Sequence, residues 1–380
     1  MLRHQVWLFT LSMMTAGGWA ANNSVPAALP EPVLSALSQA SIPSDAVSVW
    51  VARTRAPQTR LISHNAQRPM QAASVIKLVT TYAALDMLGP QFAWRTPVWL
   101  DGVIDGEVLK GNLVIQGQGD PSLVLERLWL LLRRVQSMGV RRIDGDVILD
   151  GSAFSIQRQD PGAFDGEPLR PYNAAPEALL INFRALTLTF TPDTQTGVAR
   201  VQMDPPLWGV EVPKAVALTN SPKTACGDYR SALQADFSNP ECIGLRGTYD
   251  AACGEKIWPV AYAQPETYNA RAIEGLWRSM GGDLRGVVRD GTAPKRKPSF
   301  VMASPSLGEV IRDINKFSNN VMAQQLFLTL GRWPSPPRGK SLNTQAAQGA
   351  DTDMPNWPSA TFERSRERIR EWWGARIGTA

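Results

Sequence analysis

Residues 71–89 read QAASVIKLVTTYAALDMLG, and nearly every position after Lys77 is apolar. Such a run predicts a helix that is buried almost all round and that ends at Gly89-Pro90, a pair typical of helix termini. Lysine is normally kept near water, yet Lys77 stands at the start of this helix, three positions after Ser74. Because residues i and i+3 share a helix face, the pattern indicates a serine nucleophile activated by a buried lysine.

The composition favours a folded protein and excludes nucleic acid as a partner. The 380 residues are 44% hydrophobic, which allows a large core and two or three domains. The formal net charge is +5, but no dense basic tract of the kind that binds nucleic acid is present. The mild positive charge fits attraction to an anionic surface such as a cell wall, or peripheral association with a membrane.

Residues 1–20 have the pattern of a cleaved signal peptide. A short basic start, MLRH, precedes an apolar run and the small residues Gly18 and Ala20, at positions −3 and −1 of the expected cleavage site. The apolar run is short for a bilayer span of about 20 residues, which makes a membrane anchor the less favoured alternative. We therefore expect the mature protein in the periplasm.

The cysteine and histidine content bears on disulfides and metals. Cys226, Cys242 and Cys253 allow one disulfide in an exported chain, and the sequence alone leaves the pairing open. His64 is the only histidine after the signal peptide, and no Cys-x-x-Cys is present. We therefore expect neither a metal site nor a cofactor.

The order of elements predicts an α+β fold in which one domain is interrupted by a long insertion. Strands at residues 48–53 and 60–63 flank a turn at residues 56–59 and form a β-hairpin. Short β-rich runs punctuated by Asp-Gly turns fill residues 96–297, with one amphipathic helix at residues 122–138. The expected parts are a first domain portion at residues 21–95, a mainly β insertion of two small domains at residues 96–297, and a second domain portion at residues 298–380.

A second polar motif, Ser318-Asn319-Asn320, lies between two predicted helices at residues 306–314 and 321–328. A tight turn between buried helices can present Ser318 and Asn320 rigidly into a cleft. The hydroxyl would then relay a proton between the lysine and the leaving group, and the amide would hold a peptide carbonyl. Alternatively, the motif is only a polar turn and helix cap.

In this order, the two motifs make the chain resemble the low-molecular-mass class C penicillin-binding proteins, the D-alanyl-D-alanine carboxypeptidase/endopeptidases. The resemblance covers the mature chain, and in that family a large module is inserted between Ser-x-x-Lys and Ser-x-Asn. Further matching stretches are Gly117-Gln118-Gly119-Asp120-Pro121, Tyr172-Asn173-Ala174, Ala252-Cys253-Gly254-Glu255 and Arg312-Asp313-Ile314-Asn315-Lys316-Phe317.

The resemblance implies a serine penicillin-recognising domain, similar to β-lactamases and transpeptidases, with a largely β insertion beside the substrate cleft. It implies Ser74 as the acylated nucleophile and Lys77 as its base, with Ser318 and Asn320 as the second catalytic element. The substrates would be peptidoglycan stem peptides ending in D-Ala-D-Ala, or D-alanyl cross-links. Hydrolysis would proceed through an acyl-enzyme, and β-lactams would acylate the same serine.

The resemblance also points to residues outside the two motifs. In the family an acidic side chain of the insertion shapes substrate binding, and Asp165 and Glu167 are the candidates here. The resemblance favours a disulfide between Cys226 and Cys253, which would leave Cys242 free.

One part of the family pattern has no counterpart after Ser318. The family carries Lys-Thr-Gly on a strand beside the nucleophile, where the lysine binds the substrate carboxylate and the strand helps to form the oxyanion hole. The most similar stretch of sequence, Lys223-Thr224-Ala225, lies inside the insertion and before Ser318. We therefore expect the chain to be truncated at its C-terminus and to be inactive or nearly so.

Other functions are compatible with the same residues. A non-catalytic, exported peptidoglycan-binding protein would bind sacculi without being acylated, and a β-lactamase-like hydrolase would rapidly release hydrolysed penicillin. A Ser-His-Asp hydrolase would have to use His64, and Ser74 lacks the Gly-x-Ser-x-Gly surroundings of that class.

Overall fold

The computed structural model describes residues 29–157, 159–163, 165–219, 225–333 and 357–378, and the expected signal peptide lies outside these ranges. The chain divides into two compact units, Met1–Ala73 and Ser74–Ala380. No helix in the described ranges has the length and hydrophobicity that a bilayer crossing requires.

The first unit contains a short helix and a two-stranded antiparallel ribbon, α1 (Glu31–Gln39), β1 (Val49–Arg53) and β2 (Ala56–His64). The predicted β-hairpin is therefore confirmed. Its expected turn at residues 56–59 is wrong, because Ala56 pairs with Arg53 and already belongs to β2. The register of the pairing shifts next to this pair.

The second unit combines helices with three sheets. Its helices, within the described residues, are α2 (Ile76–Leu88), α3 (Leu125–Ser137), α4 (Tyr229–Leu233), α5 (Pro265–Ser279), α6 (Leu307–Phe317), α7 (Asn320–Arg332) and α8 (Phe362–Arg376). Its strands are β3 (Arg95–Asp105), β4 (Val108–Gln116), β5 (Arg142–Ile143), β6 (Val147–Asp150), β7 (Ala185–Asp193), β8 (Val198–Asp204), β9 (Ala215–Ala217), β10 (Ala235–Asp236), β11 (Gly244–Leu245), β12 (Lys256–Ala261), β13 (Asp283–Leu284), β14 (Val288–Asp290) and β15 (Phe300–Ala303).

A mixed seven-stranded sheet forms the centre of the inserted region. Strands β13, β5, β4, β3 and β15 follow one another across it, and β6 pairs with both β4 and β14. β3 and β4 form a long antiparallel hairpin, whereas β4 pairs in parallel with β5 and β6. The apolar faces of α3 and α5 belong to the same buried cluster as this sheet. Each of these two helices precedes a pair of short strands, so a helix–strand–strand unit occurs twice.

The remaining strands form a four-stranded antiparallel sheet, in the order β12-β7-β8-β9, and the short pair β10-β11. The expectation of one amphipathic helix among these strands is wrong, because α5 is a second one. Pro265 at its first position and the buried Tyr268, Ala272 and Leu276 follow the usual pattern of an amphipathic helix. The expected boundary at residue 297 stays a prediction, although the central sheet extends to β15.

Four helices, α2, α6, α7 and α8, pack together around a second apolar cluster. Each contributes a buried side chain, and examples are Ala84, Ile314, Leu326 and Trp372. This cluster brings the Ser-x-x-Lys and Ser-x-Asn segments together, although 240 residues of chain separate them. The short connection between α6 and α7 therefore lies beside the start of α2.

The expectation that α2 is buried nearly all round is wrong. Ile76, Leu78 and Tyr82 are each more than half exposed, while Ala83 and Ala84 are fully buried. An apolar run shows that a helix can be buried, but the tertiary arrangement decides which of its faces is covered. One face of α2 is therefore buried and the other is exposed, although both faces carry apolar residues.

The Cys226–Cys253 disulfide implied by the family resemblance is present, and Cys242 is free and exposed. The bond closes a segment of 27 residues. In the chain-entropy description such a loop stabilises the folded state by about 3 kcal/mol, because the unfolded chain loses conformations.

We expect the double variant Cys226→Ser/Cys253→Ser to lose about 3 kcal/mol of unfolding free energy, measured by urea denaturation. Cys242→Ser is the matched control and should stay within about 0.5 kcal/mol of the wild type, because its thiol is exposed and unpaired. Equal stability of the double variant and the control would contradict the prediction.

Candidate active site

Ser74 and Lys77 lie in direct contact at the start of α2. Ser74 belongs to a 3₁₀ turn, Ala73–Val75, that runs into the helix. Lys77 Nζ donates a hydrogen bond to Ser74 Oγ at 2.9 Å, and the lysine side chain is only 7% exposed. The helical spacing thus produces the contact expected from the sequence.

The turn between α6 and α7 supplies two further partners for the lysine. Ser318 ends α6 in the left-handed conformation, with φ +52°, and Asn319 caps α7 by accepting a hydrogen bond from the Met322 backbone N–H at 3.1 Å. Lys77 Nζ lies 3.4 Å from Ser318 Oγ and donates to Asn320 Oδ1 at 2.7 Å. Capping therefore accounts for Asn319, whereas its two neighbours face the lysine.

The electrostatic surroundings of Lys77 are unusual for a buried cation. Its three hydrogen-bond acceptors are neutral oxygens, and no carboxylate of the described residues lies within 4 Å of Nζ. Burial lowers the pKa of Lys77 from its ordinary value of 10.5, because the charged form loses hydration without gaining a counter-ion. The neutral amine, which can accept a proton, is therefore favoured more than in an ordinary lysine.

An open cavity of about 260 Å³ lies over these groups. Its lining includes Ser74, Lys77 and Ser318, together with Asn315, which sequence reasoning did not single out as a site residue. Asn315 lies one helical turn before Ser318 on α6, and its Nδ2 donates to Thr81 Oγ1 at 3.3 Å. The i, i+3 spacing from Ser318 was the signal that could have identified it.

Asp165 and Glu167, the predicted substrate-binding residues, have no hydrogen bond or ion pair to the residues around Lys77. Asp165 Oδ1 accepts from the Glu167 backbone N–H at 3.0 Å and from Asn173 Nδ2 at 2.7 Å, and Tyr172 donates to Oδ2 at 3.0 Å. Desolvation alone would raise the pKa of Asp165, but these hydrogen bonds hold it below its ordinary value. The structure therefore shows Asp165 organising its own loop, and a role in substrate binding stays a prediction.

His64, which a Ser-His-Asp hydrolase would need, forms its hydrogen bonds inside the first unit. Its Nε2 lies 2.8 Å from the Ser44 carbonyl oxygen and 3.1 Å from Asn65 Nδ2. Both contacts belong to the ribbon and the turn before it. The imidazole is thus engaged with the backbone and an amide.

Comparison with known proteins adds to this geometry. A model of the D-Ala-D-Ala carboxypeptidase 3 (S13) family matches residues 29–349. The chain belongs to this family. The match extends from the first described residue through the Ser-x-x-Lys and Ser-x-Asn motifs and includes all the residues between them.

Two curated relatives of the family are similar to this chain. The D-alanyl-D-alanine carboxypeptidase DacB of Haemophilus influenzae is 30% identical over 273 residues, which are 71% of this chain and 56% of that protein. A D-alanyl-D-alanine carboxypeptidase of Actinomadura sp. is 26% identical over 299 residues, which are 76% of this chain and 54% of that protein. The chain therefore spans about half the length of the curated relatives that it matches.

The fold is also found among solved structures. A crystal structure of penicillin binding protein 4 (dacB) from Haemophilus influenzae matches with a TM-score of 0.62 at 20% sequence identity. The match covers 90% of this chain and 70% of that one. The predicted α+β, penicillin-recognising fold and the predicted family are therefore confirmed.

The lowered pKa of Lys77 makes the stability of the protein depend on pH. Between the folded-state pKa and 10.5, the unfolded chain binds more protons at this lysine than the folded chain, so wild-type stability should rise with pH in that interval. A Lys77→Met variant lacks this contribution. Its stability relative to the wild type should therefore be highest near neutral pH and should fall as the pH rises toward 10.5.

Urea unfolding at several pH values between 7 and 10.5 measures this difference. Lys214→Met removes an exposed lysine and is the matched control. A Lys77→Met difference that is constant across this range would contradict the lowered pKa.

Proposed function

We propose that this chain is a serine-type D-Ala-D-Ala carboxypeptidase/endopeptidase of the cell wall, with Ser74 as its nucleophile and Lys77 as its general base. The observation that carries the proposal is the contact at 2.9 Å between the Ser74 hydroxyl and a buried lysine that has no carboxylate partner among the described residues. Family membership and the printed activity of the two curated relatives support it.

The first step follows from the position of Lys77. In its neutral form, Nζ takes the proton of Ser74 Oγ while the oxygen attacks the carbonyl carbon of the penultimate D-alanine. The carbonyl π-bond opens to an oxyanion, and the resulting tetrahedral intermediate then expels the amine of the terminal residue. The products of this half-reaction are an ester on Ser74 and a free amino acid or peptide.

Ser318 would protonate the leaving amine. Its Oγ lies 3.4 Å from Lys77 Nζ, so the hydroxyl can give its own proton to the departing nitrogen and take in return the proton that Nζ received from Ser74. The lysine returns to its neutral form and can then deprotonate the water that hydrolyses the ester. One lysine therefore serves both half-reactions without a carboxylate or a histidine.

In this scheme the two ends of the Asn320 amide have different partners. Its Oδ1 accepts from Lys77 at 2.7 Å, which fixes the orientation of the amide. Nδ2 donates to no other described group, so it is available to a carbonyl oxygen of the bound peptide. The lysine contact thereby determines which atom of the asparagine faces the substrate.

The substrates and the location are part of the same proposal. Peptidoglycan stem peptides and β-lactams would occupy the cavity over Ser74, and Asp165 or Glu167 would contact the peptide side chain from the insertion. The expected signal peptide at residues 1–20 would export the protein to the periplasm, where these substrates are found. The positive net charge would favour binding to the anionic wall or to a membrane surface.

Acylation by a β-lactam and hydrolysis of a peptide need not require the same substrate-binding groups. The family binds the substrate carboxylate through Lys-Thr-Gly, and these 380 residues contain no such motif after Ser318. We propose that these 380 residues, tested by themselves, form a covalent β-lactam adduct at Ser74 but hydrolyse D-Ala-D-Ala peptides slowly or not at all. The catalytic groups described above would then be present without one substrate-binding element.

We expect a fluorescent penicillin to label the purified chain at Ser74, located by peptide mass spectrometry. Ser74→Ala should abolish labelling, and Lys77→Met should slow it by about 10²- to 10⁴-fold, because a general base contributes on that order. Ser137→Ala, at an exposed serine on α3, is the matched control and should label like the wild type. Absence of label at Ser74, or label that persists in Ser74→Ala, would contradict the proposed nucleophile.

Two parallel measurements separate the other functions. His64→Ala should leave labelling unchanged, since the lysine and not the imidazole is the base. Release of D-alanine from a D-Ala-D-Ala peptide should be slow, and robust turnover that depends on Ser74 would contradict the expected inactivity. Rapid release of hydrolysed penicillin would favour a β-lactamase, and binding to sacculi without any labelling would favour a non-catalytic wall-binding protein.

A further inference from the structure

Helix α7 carries a stripe of buried polar side chains in addition to its catalytic asparagine. Gln325, Thr329 and Arg332 lie four and three positions apart, so they share one face of the helix. Their exposed fractions are 0%, 1% and 5%. Polar residues are uncommon at fully buried positions of a helix, and each of these three requires a partner.

Glu177 and Gln118, which contact Gln325 and Arg332, lie in the inserted region, whereas Trp94, which contacts Thr329, belongs to the helical cluster. The Gln325 side-chain amide makes two hydrogen bonds to the backbone of Glu177. Oε1 accepts from the Glu177 N–H at 3.0 Å, and Nε2 donates to the Glu177 carbonyl oxygen at 2.8 Å. The Thr329 hydroxyl accepts from the Trp94 indole N–H at 2.9 Å. The stripe therefore fixes α7 to segments before and inside the inserted region.

Arg332 makes the third attachment, to the Gly117–Pro121 stretch noted in the sequence. Its Nη1 donates to the Gln118 carbonyl at 3.2 Å and to Gln118 Oε1 at 2.5 Å. No carboxylate of the described residues pairs with this guanidinium, and burial lowers the pKa of Arg332 to about 10. A buried cation without an anion is not a favourable way to stabilise a core, since an apolar side chain would fill the space with less loss of hydration.

Directional contacts fix the position of a helix in a way that apolar contacts do not. Apolar side chains tolerate small translations and rotations, whereas a hydrogen bond weakens steeply with distance and angle. Asn320 and Arg332 are the two ends of α7, which are about 18 Å apart at 1.5 Å per residue. A displacement at the stripe is therefore transmitted along the rigid helix to Asn320.

We propose that Gln325 and Arg332 are positioning residues, which hold α7 in the place where Asn320 Oδ1 meets Lys77 Nζ. The inserted region would thus act on the catalytic lysine through α7, in addition to bordering the cavity. This inference rests on the proposed function only for its catalytic consequence. The coupling between the stripe and Lys77 is a property of the folded chain and can be measured without any reaction.

The direct test follows the titration of Lys77 by NMR of the chain labelled with ¹³C at lysine Cε, with the signal assigned by its loss in Lys77→Met. Asn320→Ala should lower the pKa of Lys77, because an acceptor that favours the charged form is removed. Gln325→Met and Arg332→Met should shift it in the same direction. Adding either change to Asn320→Ala should then have no further effect, because the contact is already lost.

Matched variants distinguish positioning from general destabilisation. Gln136→Met removes a buried glutamine of α3 that donates to the Met280 carbonyl, and it should leave the titration of Lys77 unchanged. Arg332→Lys keeps a cationic donor toward Gln118 and should restore most of the wild-type pKa. If Arg332→Met does not fold, Gln325→Met and Arg332→Lys still decide the question.

Two results would overturn the proposal. The first is an unchanged pKa of Lys77 in folded Gln325→Met and Arg332→Met. The second is a double variant with Asn320→Ala in which the shift of the Lys77 pKa equals the sum of the two single shifts. A shift in Gln136→Met as large as that in Gln325→Met would also assign the effect to lost stability.

The catalytic consequence is measured by the rate of penicillin labelling at Ser74. Gln325→Met should slow labelling by about tenfold to a hundredfold, as expected for a small displacement of a catalytic group, and the double variant with Asn320→Ala should be no slower than Asn320→Ala alone. One outcome is that the wild type is not labelled while Gln325→Met and Arg332→Met still shift the pKa of Lys77 and add nothing to Asn320→Ala. In that case the proposed function fails and the positioning role stands. If the wild type is labelled and the pKa of Lys77 does not respond to the changes at Gln325 and Arg332, only the positioning role fails.

Discussion

A buried lysine amine that contacts neutral oxygens, with no carboxylate of the described residues beside it, is the feature on which the rest of this structure depends. Lys77 meets Ser74, Ser318 and Asn320, which come from two ends of the second unit. A carboxylate in the same place would stabilise the ammonium form and prevent it from accepting a proton. The neutral acceptors orient Nζ while leaving its pKa lowered by burial.

The fold meets this requirement by placing three segments around one atom. The 3₁₀ turn before α2 presents Ser74, and helical spacing places Lys77 beside it. The turn between α6 and α7 reverses the chain at Ser318, in a left-handed conformation, and the Asn319 cap begins the next helix with Asn320. Each of these local structures is common by itself, and the site exists because the fold brings them to one lysine.

Residues of the inserted region stabilise this arrangement at a distance. Buried amide and guanidinium groups of α7 contact Glu177 and Gln118, whose chain segments belong to that region. Contacts of this kind cost more hydration than apolar packing would, and they specify position more sharply. In the proposal made above, these contacts connect residues 96–297 to the helix that carries Asn320.

The sequence alone was sufficient for the family, the α+β fold, the Cys226–Cys253 pairing and the contact between Ser74 and Lys77. Local rules explain why, since the Ser74–Lys77 contact is set by helical periodicity, and the family motifs give the pairing by resemblance. The second amphipathic helix, α5, and the early start of β2 were missed. The pattern of α5 is that of an ordinary amphipathic helix and could have been read from the sequence, whereas the register shift in β2 depends on pairing with another strand.

Periodicity and motif spacing, which act over a few residues, therefore determined which side chains could carry the chemistry. Only the tertiary structure decided that Asn320 reaches Lys77, that Asn315 lines the cavity, that Asp165 is engaged with its own loop, and that one face of α2 is exposed. The physical reason is that burial and long-range hydrogen bonds depend on how separate segments pack. No single segment contains that information.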